Sequence, residues 1–342
     1  MRNDWLMTIA CGAMLLIANH SRPSRGQVEK QNASCRSPHV LTRDTPAHLA
    51  AVDLPLPAAG EIIRKNVEEI RVVFSVLDRQ GRFVNDITPG DVELKDDDRT
   101  IDDLTGFSRT ANLPLRLALL VDVSESMTRE FGQEQQAAGE FLRNLLRPEY
   151  DQAFLVTFAT WVDAKKPYVQ GGSANVEKIK MHAQSGGQTA LYDAICSACL
   201  DELMNVQENM AVRRVIVLLS DGEDTQSRHT LADAVEWAQR AGVAVYAVTV
   251  HNPRGDFPGD RVLKELASAT GGRAFTLKNY DQLPSVFGEI QGELRAQYVV
   301  TYRRSVAPPH SGFHSLQVNL RNHSGLKVNC RRGYFAATTF GE

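Results

Sequence analysis

Apolar and polar positions along the chain follow two different periods. Around 69–107 and again after 297 apolar residues alternate with polar ones, the period-two pattern of half-buried strands. In the first of these regions strands are expected at 69–77, 83–84, 92–95 and 101–107, with turns at Asp78-Arg79-Gln80-Gly81-Arg82 and at Asp96-Asp97-Asp98-Arg99. Past Pro114 the pattern becomes continuous apolar runs separated by helical stripes. Strands are expected there at 115–123, 154–159, 215–220, 244–250 and 273–277, with a short edge at 167–170. Helices are expected at 130–146, 176–184, 191–206, 231–241, 261–270 and 280–297. Strand, helix and strand in repetition, joined by crossovers of this length, predict an α/β fold with a doubly wound, mostly parallel sheet of Rossmann-like design. The last region returns to strands at 297–302, 315–320 and 326–330, ending in Arg332-Gly333-Tyr334-Phe335.

The organisation that follows is a signal peptide or N-terminal anchor at 1–27, a linker at 28–65, a β segment at 66–112, the α/β domain at 115–290 and a second β segment at 294–337. Neither β flank has strands enough to bury both faces of a sheet, so the two are expected to pack together as one sandwich with the α/β domain inserted between them.

Composition narrows the reading. With 342 residues and 43% hydrophobic content, about two domains with proper cores are expected. Basic and acidic residues nearly balance, 38 against 41 for a net charge of -3, which gives no bulk electrostatic reason for nucleic acid or an anionic membrane surface as partner. The apolar stretch at 5–18 has the length of a secretory leader rather than a full span, which points to export. No clean small-x-small cleavage site follows it, so an uncleaved anchor stays open as the one route to a membrane. Cys35, Cys196, Cys199 and Cys330 are the cysteines outside the leader; Cys196 and Cys199 share a helix face and read as buried thiols, with no second pair at zinc spacing.

Candidate chemistry gathers at the ends of the parallel strands. The run Leu117-Ala118-Leu119-Leu120-Val121 reads as a buried central strand that ends in Asp122-Val123-Ser124-Glu125-Ser126. A carboxylate with two hydroxyls suits a hard cation such as Mg2+, which takes oxygen ligands and keeps several waters. Alone, this pattern is common in loops and helix caps. Two further segments raise its value: Gly186-Gly187-Gln188-Thr189-Ala190-Leu191-Tyr192-Asp193, a loop opening a helix, and Val215-Ile216-Val217-Leu218-Leu219-Ser220-Asp221-Gly222, a second apolar strand ending in a carboxylate.

With these residues in view the chain resembles the von Willebrand factor type A domain, whose metal-ion-dependent adhesion site combines Asp-x-Ser-x-Ser, a threonine and an aspartate in this order. The resemblance implies Ser124, Ser126 and Thr189 as hydroxyl ligands, with Asp122 and Asp221 binding directly or through water. It implies Mg2+, with Mn2+ or Ca2+ as alternatives, and a protein partner presenting Asp or Glu to the cation. Glu125 departs from the glycine often found between the two serines in that family. The wider layout, with Asp78-Arg79-Gln80-Gly81-Arg82-Phe83-Val84 and a terminal Arg331-Arg332-Gly333-Tyr334-Phe335, also resembles a bacterial family of exported proteins related to this domain.

Two rival functions share the same residues. A Mg2+-dependent hydrolase would need further machinery, and neither a phosphate-binding loop with Lys-Ser/Thr nor a His-Glu-x-x-His motif occurs in the chain. Isolated His182 and His229 are expected to be satisfied locally, so the expected class is a binding protein and not an enzyme. The second rival is an envelope protein whose metal is purely structural. Elsewhere, Asp96 to Asp98 are expected at a solvated hairpin tip. The tripeptide Arg254-Gly255-Asp256, the basic residues Arg303, Arg304, Arg321, Lys327, Arg331 and Arg332, and His310, His314 and His323 are read as turn residues and solvated strand faces.

Overall fold

The first strand, β1 (Asn66–Leu77), divides its side chains between two faces. Ile70, Val72, Phe74 and Val76 enter one apolar core, while Val73 and Ser75 alternate with them and face the α/β unit. After a turn, β2 (Val92–Asp96) and β3 (Arg99–Ile101) form a two-residue hairpin. Asp97 and Asp98 occupy its tip at φ 49 and 62, left-handed conformations that this tight turn demands and aspartate tolerates. The strand expected at 101–107 is in fact two. The chain breaks at the exposed Asp102 and Asp103, and β4 (Leu104–Arg109) continues in a different sheet, which two consecutive solvated carboxylates permit. The computed structural model describes residues 66–124, 131–171, 187–204, 211–250, 257–306, 312–321 and 323–335. The leader and linker, the helix expected at 176–184, Cys35, Glu125, Ser126, His182, Arg254-Gly255-Asp256 and His310 lie outside the described residues.

Strand β5 (Leu115–Asp122) is buried at all eight positions. Leu115, Leu117, Leu119 and Val121 face one layer of helices, α1 (Phe131–Leu145) and a last helix at 283–296; Ala118 and Leu120 face the other layer. The strand needs no polar face because both sides are covered, which is why its central run Leu117–Val121 is continuously apolar. Around it stand β6 (Gln152–Phe158), β7 (Val162–Gln170), β8 (Arg213–Leu219), β9 (Val243–Val250) and β10 (Ala274–Leu277), in the order β10-β9-β8-β5-β6-β7. All pairings are parallel except β6 with β7. The expected short edge at 167–170 is longer than the pattern suggested. The register shifts between Ala153 and Leu155, opposite the stretch that contains Pro167, whose missing N–H costs nothing on an edge strand.

Helices α2 (Leu191–Ser197), α3 (Leu231–Arg240) and α4 (Pro258–Thr270) cover one face, and α5 (Leu283–Ala296) joins α1 on the other, with Phe141 and Phe287 stacked at 4.5 Å. The helix expected at 191–206 is α-helical only as far as Ser197. From Ala198 to Leu203 it widens to a π turn, closed by Met204 N–H on the Cys199 carbonyl. Arg214 Nε donates to the Leu203 carbonyl at 2.7 Å and holds the widened end. Cys196 and Cys199 are free and buried, and burial pushes the Cys196 thiol up to about 12.

The chain then returns to strands β11 (Tyr298–Val306), β12 (Phe313–Leu320), β13 (Lys327–Cys330) and β14 (Gly333–Phe335). One sheet has the order β13-β1-β11-β4 and the other β14-β12-β2-β3, so each mixes strands from before and after the α/β unit. That unit enters and leaves at adjacent points: Thr110 N–H donates to the Gln297 carbonyl at 3.0 Å. The entry is clamped by Arg147, which donates to the carbonyls of Ala111 and Leu113 and to Asp151, while Asp151 accepts from Leu115 N–H at 2.8 Å. Among the described residues no helix is long and apolar enough to cross a membrane.

Candidate metal centre at the sheet rim

The strand order reverses at β5, with β6 on one side and β8 on the other, so a crevice forms beyond its C-terminal end. Asp122 is the last residue of β5 and is wholly buried there. One carboxylate oxygen accepts from Ser124 N–H at 3.0 Å and the other from the Ser220 hydroxyl at 2.9 Å. Burial pushes its pKa up to about 6; hydrogen bonds from Ser124 and Ser220 oppose the rise, and the neighbouring Asp221 charge adds to it. Among the described residues no basic side chain is hydrogen-bonded to Asp122.

Asp221 lies two residues past the end of β8, and its Oδ1 accepts from Glu223 N–H at 3.0 Å, which turns the chain sharply. Gly222 makes that turn possible. Its φ is +80, and a Cβ there would lie 2.5 Å from the Gly259 carbonyl oxygen. Thr189, 6% exposed, is held against the same loop by a reciprocal set of bonds. Its carbonyl accepts from Thr225 and Gln226 N–H, and its own N–H donates to the Thr225 hydroxyl at 2.9 Å. Ala190 N–H ties it to the Ala159 carbonyl after β6. One turn on, Asp224 accepts from Tyr192 N–H and Asp193 accepts from the N–H groups of Arg228 and His229. Three segments far apart in sequence are thus stitched through main-chain groups before any ligand arrives.

Of the five residues that the sequence singles out, Asp122, Ser124 and Asp221 lie together at this rim, Thr189 sits on a loop bonded to Thr225 in the segment after Asp221, and Ser126 lies outside the described residues. Sequence reasoning missed Ser220, which joins Asp122 to the turn by also accepting from Gly222 N–H at 3.0 Å. Its position directly before Asp221 at the end of an apolar strand was the available signal. His229 is not isolated: its Nδ1 lies 2.7 Å from Asp193. Two large apolar side chains are exposed on segments bordering the rim, Trp161 in the turn after β6 and Phe257 at the start of α4.

The acidic hairpin tip differs from expectation. Asp96 is buried, His314 is buried, and with Asp97 their ligand atoms lie within 4.8 Å of one another, a spacing that a metal could use. A cation already sits among them. Arg304 donates to both Asp96 oxygens at 2.9 and 3.0 Å and to Asp97 at 3.2 Å, and the Tyr302 and Tyr334 hydroxyls also donate to Asp96. His314 Nδ1 is 2.7 Å from Asp97. The cluster is therefore neutralised within the sandwich, and a metal would have to displace a guanidinium. Strand parity would have found it, since Asp96 shares a face with Val92 and Leu94, and His314 with Leu316 and Val318. His323 is likewise no plain solvated residue, being 3.1 Å from Asp91.

No curated protein matches the chain. Among solved structures, proximal thread matrix protein 1 from the mussel byssus, in a form with a zinc-occupied MIDAS motif, is 19% identical over 59% of this chain and 50% of that one, at a TM-score of 0.47. This chain thus spans about half the length of that protein. A von Willebrand factor type A structure from Catenulispora acidiphila is 11% identical over 76% of this chain and 72% of that one, at 0.45. The conserved hypothetical protein BatB from Bacteroides thetaiotaomicron is 19% identical over 52% and 97%, at 0.41. The von Willebrand factor type A domain matches residues 117–289, just over half of the chain, running from the apolar centre of β5 into α5. Those bounds coincide with the doubly wound sheet and its two helical layers, and the chain belongs to the von Willebrand factor type A family.

Proposed function

We propose that this chain is an exported binding protein that captures an acidic side chain of a protein partner through a divalent cation held at the sheet rim, and that it is not an enzyme. The observation that carries the reading is the buried Asp122 carboxylate, raised to about 6 and faced by Asp221 with no described basic side chain hydrogen-bonded to it. Asp122, Ser124, Thr189 and Asp221, with Ser126, are the residues that would hold the cation, directly or through water. A divalent ion there, Mg2+ with Mn2+ or Ca2+ as alternatives, supplies charge that the neutral hydroxyls leave partly uncompensated, so a partner carboxylate gains a direct ionic contact.

This chain's own residues do the rest. Ser220 and the Ser124 N–H keep the Asp122 carboxylate oriented, and the Thr225 hydroxyl fixes the Thr189 main chain. Trp161 and Phe257 offer apolar contact beside the rim for the residues that flank the captured acid. Against hydrolysis, the Ser227 hydroxyl donates to Asp224 at 2.6 Å and not to His229, so the His229–Asp193 pair lacks an adjacent nucleophile among the described residues. The loop stitching also suits a purely structural cation. Calorimetric titration of the full chain with Mg2+ and with Mn2+, followed by partner capture with and without chelator, separates the two. Capture lost on chelation and in Asp122→Ala supports the proposal; metal-dependent melting without any metal-dependent partner supports the structural alternative.

A further inference from the structure

At the opposite end of the sheet a cavity of about 530 Å3 opens between the strand starts of the α/β unit and the sandwich. One wall comes from β1 and β11, the other from the starts of β8 and β9 and the end of α3. Five arginines line it, Arg71, Arg213, Arg214, Arg240 and Arg331, against two carboxylates, Glu68 and Glu69. Glu69 is spoken for by Arg71 at 3.1 Å, and Arg240 is paired with Glu236 at 2.8 Å.

Arg213 and Arg331 have no such partner. Arg213 is 8% exposed, and its guanidinium meets only neutral oxygens, the Thr110 hydroxyl at 3.5 Å and the Leu294 carbonyl. Its Nε is buried with no hydrogen-bond partner among the described residues. Arg331 donates to the Arg71 carbonyl at 2.8 Å and lies over the Tyr334 ring at 5.5 Å; its Nε is buried and unpartnered as well. Burial pushes Arg213 down to about 10 and lowers Arg331 too. The Asp151 charge only partly offsets the burial of Arg213, and neither guanidinium is hydrogen-bonded to a carboxylate, so a guanidinium from each side of the junction borders the same space with bonding capacity to spare. A guanidinium fork matches the oxygens of a carboxylate or phosphate, and Val73, Val299 and Phe335 supply an apolar wall. The volume falls within the roughly 300–1,000 Å3 of small-molecule sites.

We propose that this cavity binds a small organic oxyanion, a carboxylate or phosphate monoester with an apolar body, whose charged end lies between Arg213 and Arg331. The site is separate from the rim and owes nothing to the cation.

The test is calorimetric titration of the full chain, with chelator present so that no metal at the rim takes the anion, using phenyl phosphate, 4-phenylbutyrate and inorganic phosphate. The expected result is saturable one-site binding of at least one organic anion, at least tenfold tighter than inorganic phosphate. Arg213→Met and Arg331→Met should each weaken it tenfold or more, and Asp122→Ala should leave it unchanged. Should either arginine variant fail to fold, Val73→Phe narrows the cavity without removing a charge and should weaken binding to a similar degree. Absence of saturable binding by both organic anions overturns the proposal, as does unchanged binding in folded Arg213→Met or in Val73→Phe. Equal affinity for inorganic phosphate overturns the organic ligand class.

Discussion

The two ends of the parallel sheet carry opposite charge problems. At the rim, Asp122 and Asp221 crowd together beyond β5 and β8; at the base, the buried Arg213 and the half-buried Arg331, each with a buried Nε, border a cavity. Elsewhere among the described residues several buried charges are matched within the chain. Asp151 is matched to Arg147 at 2.9 Å, Glu293 takes hydrogen bonds from Ser75 and Asn329, and Asp96 is enclosed by Arg304 and two tyrosines. Where the fold alone sets the terms, charge is balanced inside the chain. The rim and the base lie about 20 Å apart at a rise of roughly 3.3 Å per residue.

The largest effect should come from removing the rim's central charge. Asp122→Ala is expected to lower divalent-cation affinity about 100-fold or more, measured by calorimetry, while leaving metal-free unfolding in urea no less stable, because a buried and repelled carboxylate has gone. If metal-free stability instead collapses, the carboxylate is a structural member and the comparison with the base fails. Gly222→Ala should cost about 2–3 kcal/mol in urea unfolding, since it forces a side chain to a left-handed φ and against the Gly259 carbonyl. As a control from the balanced class, Arg147→Ala strands the buried Asp151. With the Arg147 side chain 36% exposed, the discounted cost is about 2 kcal/mol.

Acidity sharpens the contrast further. Asp122 titrates near 6 in the fold and near its ordinary value of 3.8 when unfolded, so between these values the folded chain holds the extra proton. Metal-free stability should accordingly rise as pH falls from 7 towards 4 through this group. Cation affinity should fall over the same interval, by about tenfold per pH unit below 6, because cation and proton compete for one carboxylate. A pH-independent affinity between 5 and 7 would show that Asp122 does not take part. The smallest effect is expected of Asp224→Ala, which removes an acceptor at the first turn of α2 for about 1 kcal/mol in thermal unfolding.

Much of this was legible in the sequence, and the reasons are specific. The β5 run announced a strand covered on both sides, and the order of strands and helices announced the doubly wound sheet. Asp122, Ser124, Thr189 and Asp221 could be picked out because each ends or opens a strongly patterned element. What escaped was long-range polar pairing. Nothing local to Asp96 reveals Arg304, 208 positions away, and nothing local to Arg331 reveals that it closes against Arg71. The break at Asp102-Asp103 escaped for a related reason: which sheet a strand joins depends on partners the segment does not contain.

The side-by-side entry and exit of the inserted unit, joined by Thr110 N–H and the Gln297 carbonyl, has a practical corollary. A segment whose two ends leave its host through neighbouring doorways can be transplanted whole into another host loop without spanning a gap. The rim, built entirely from residues within that segment, would travel with it, while the arginine-lined cavity, shared between host and guest, would be left behind.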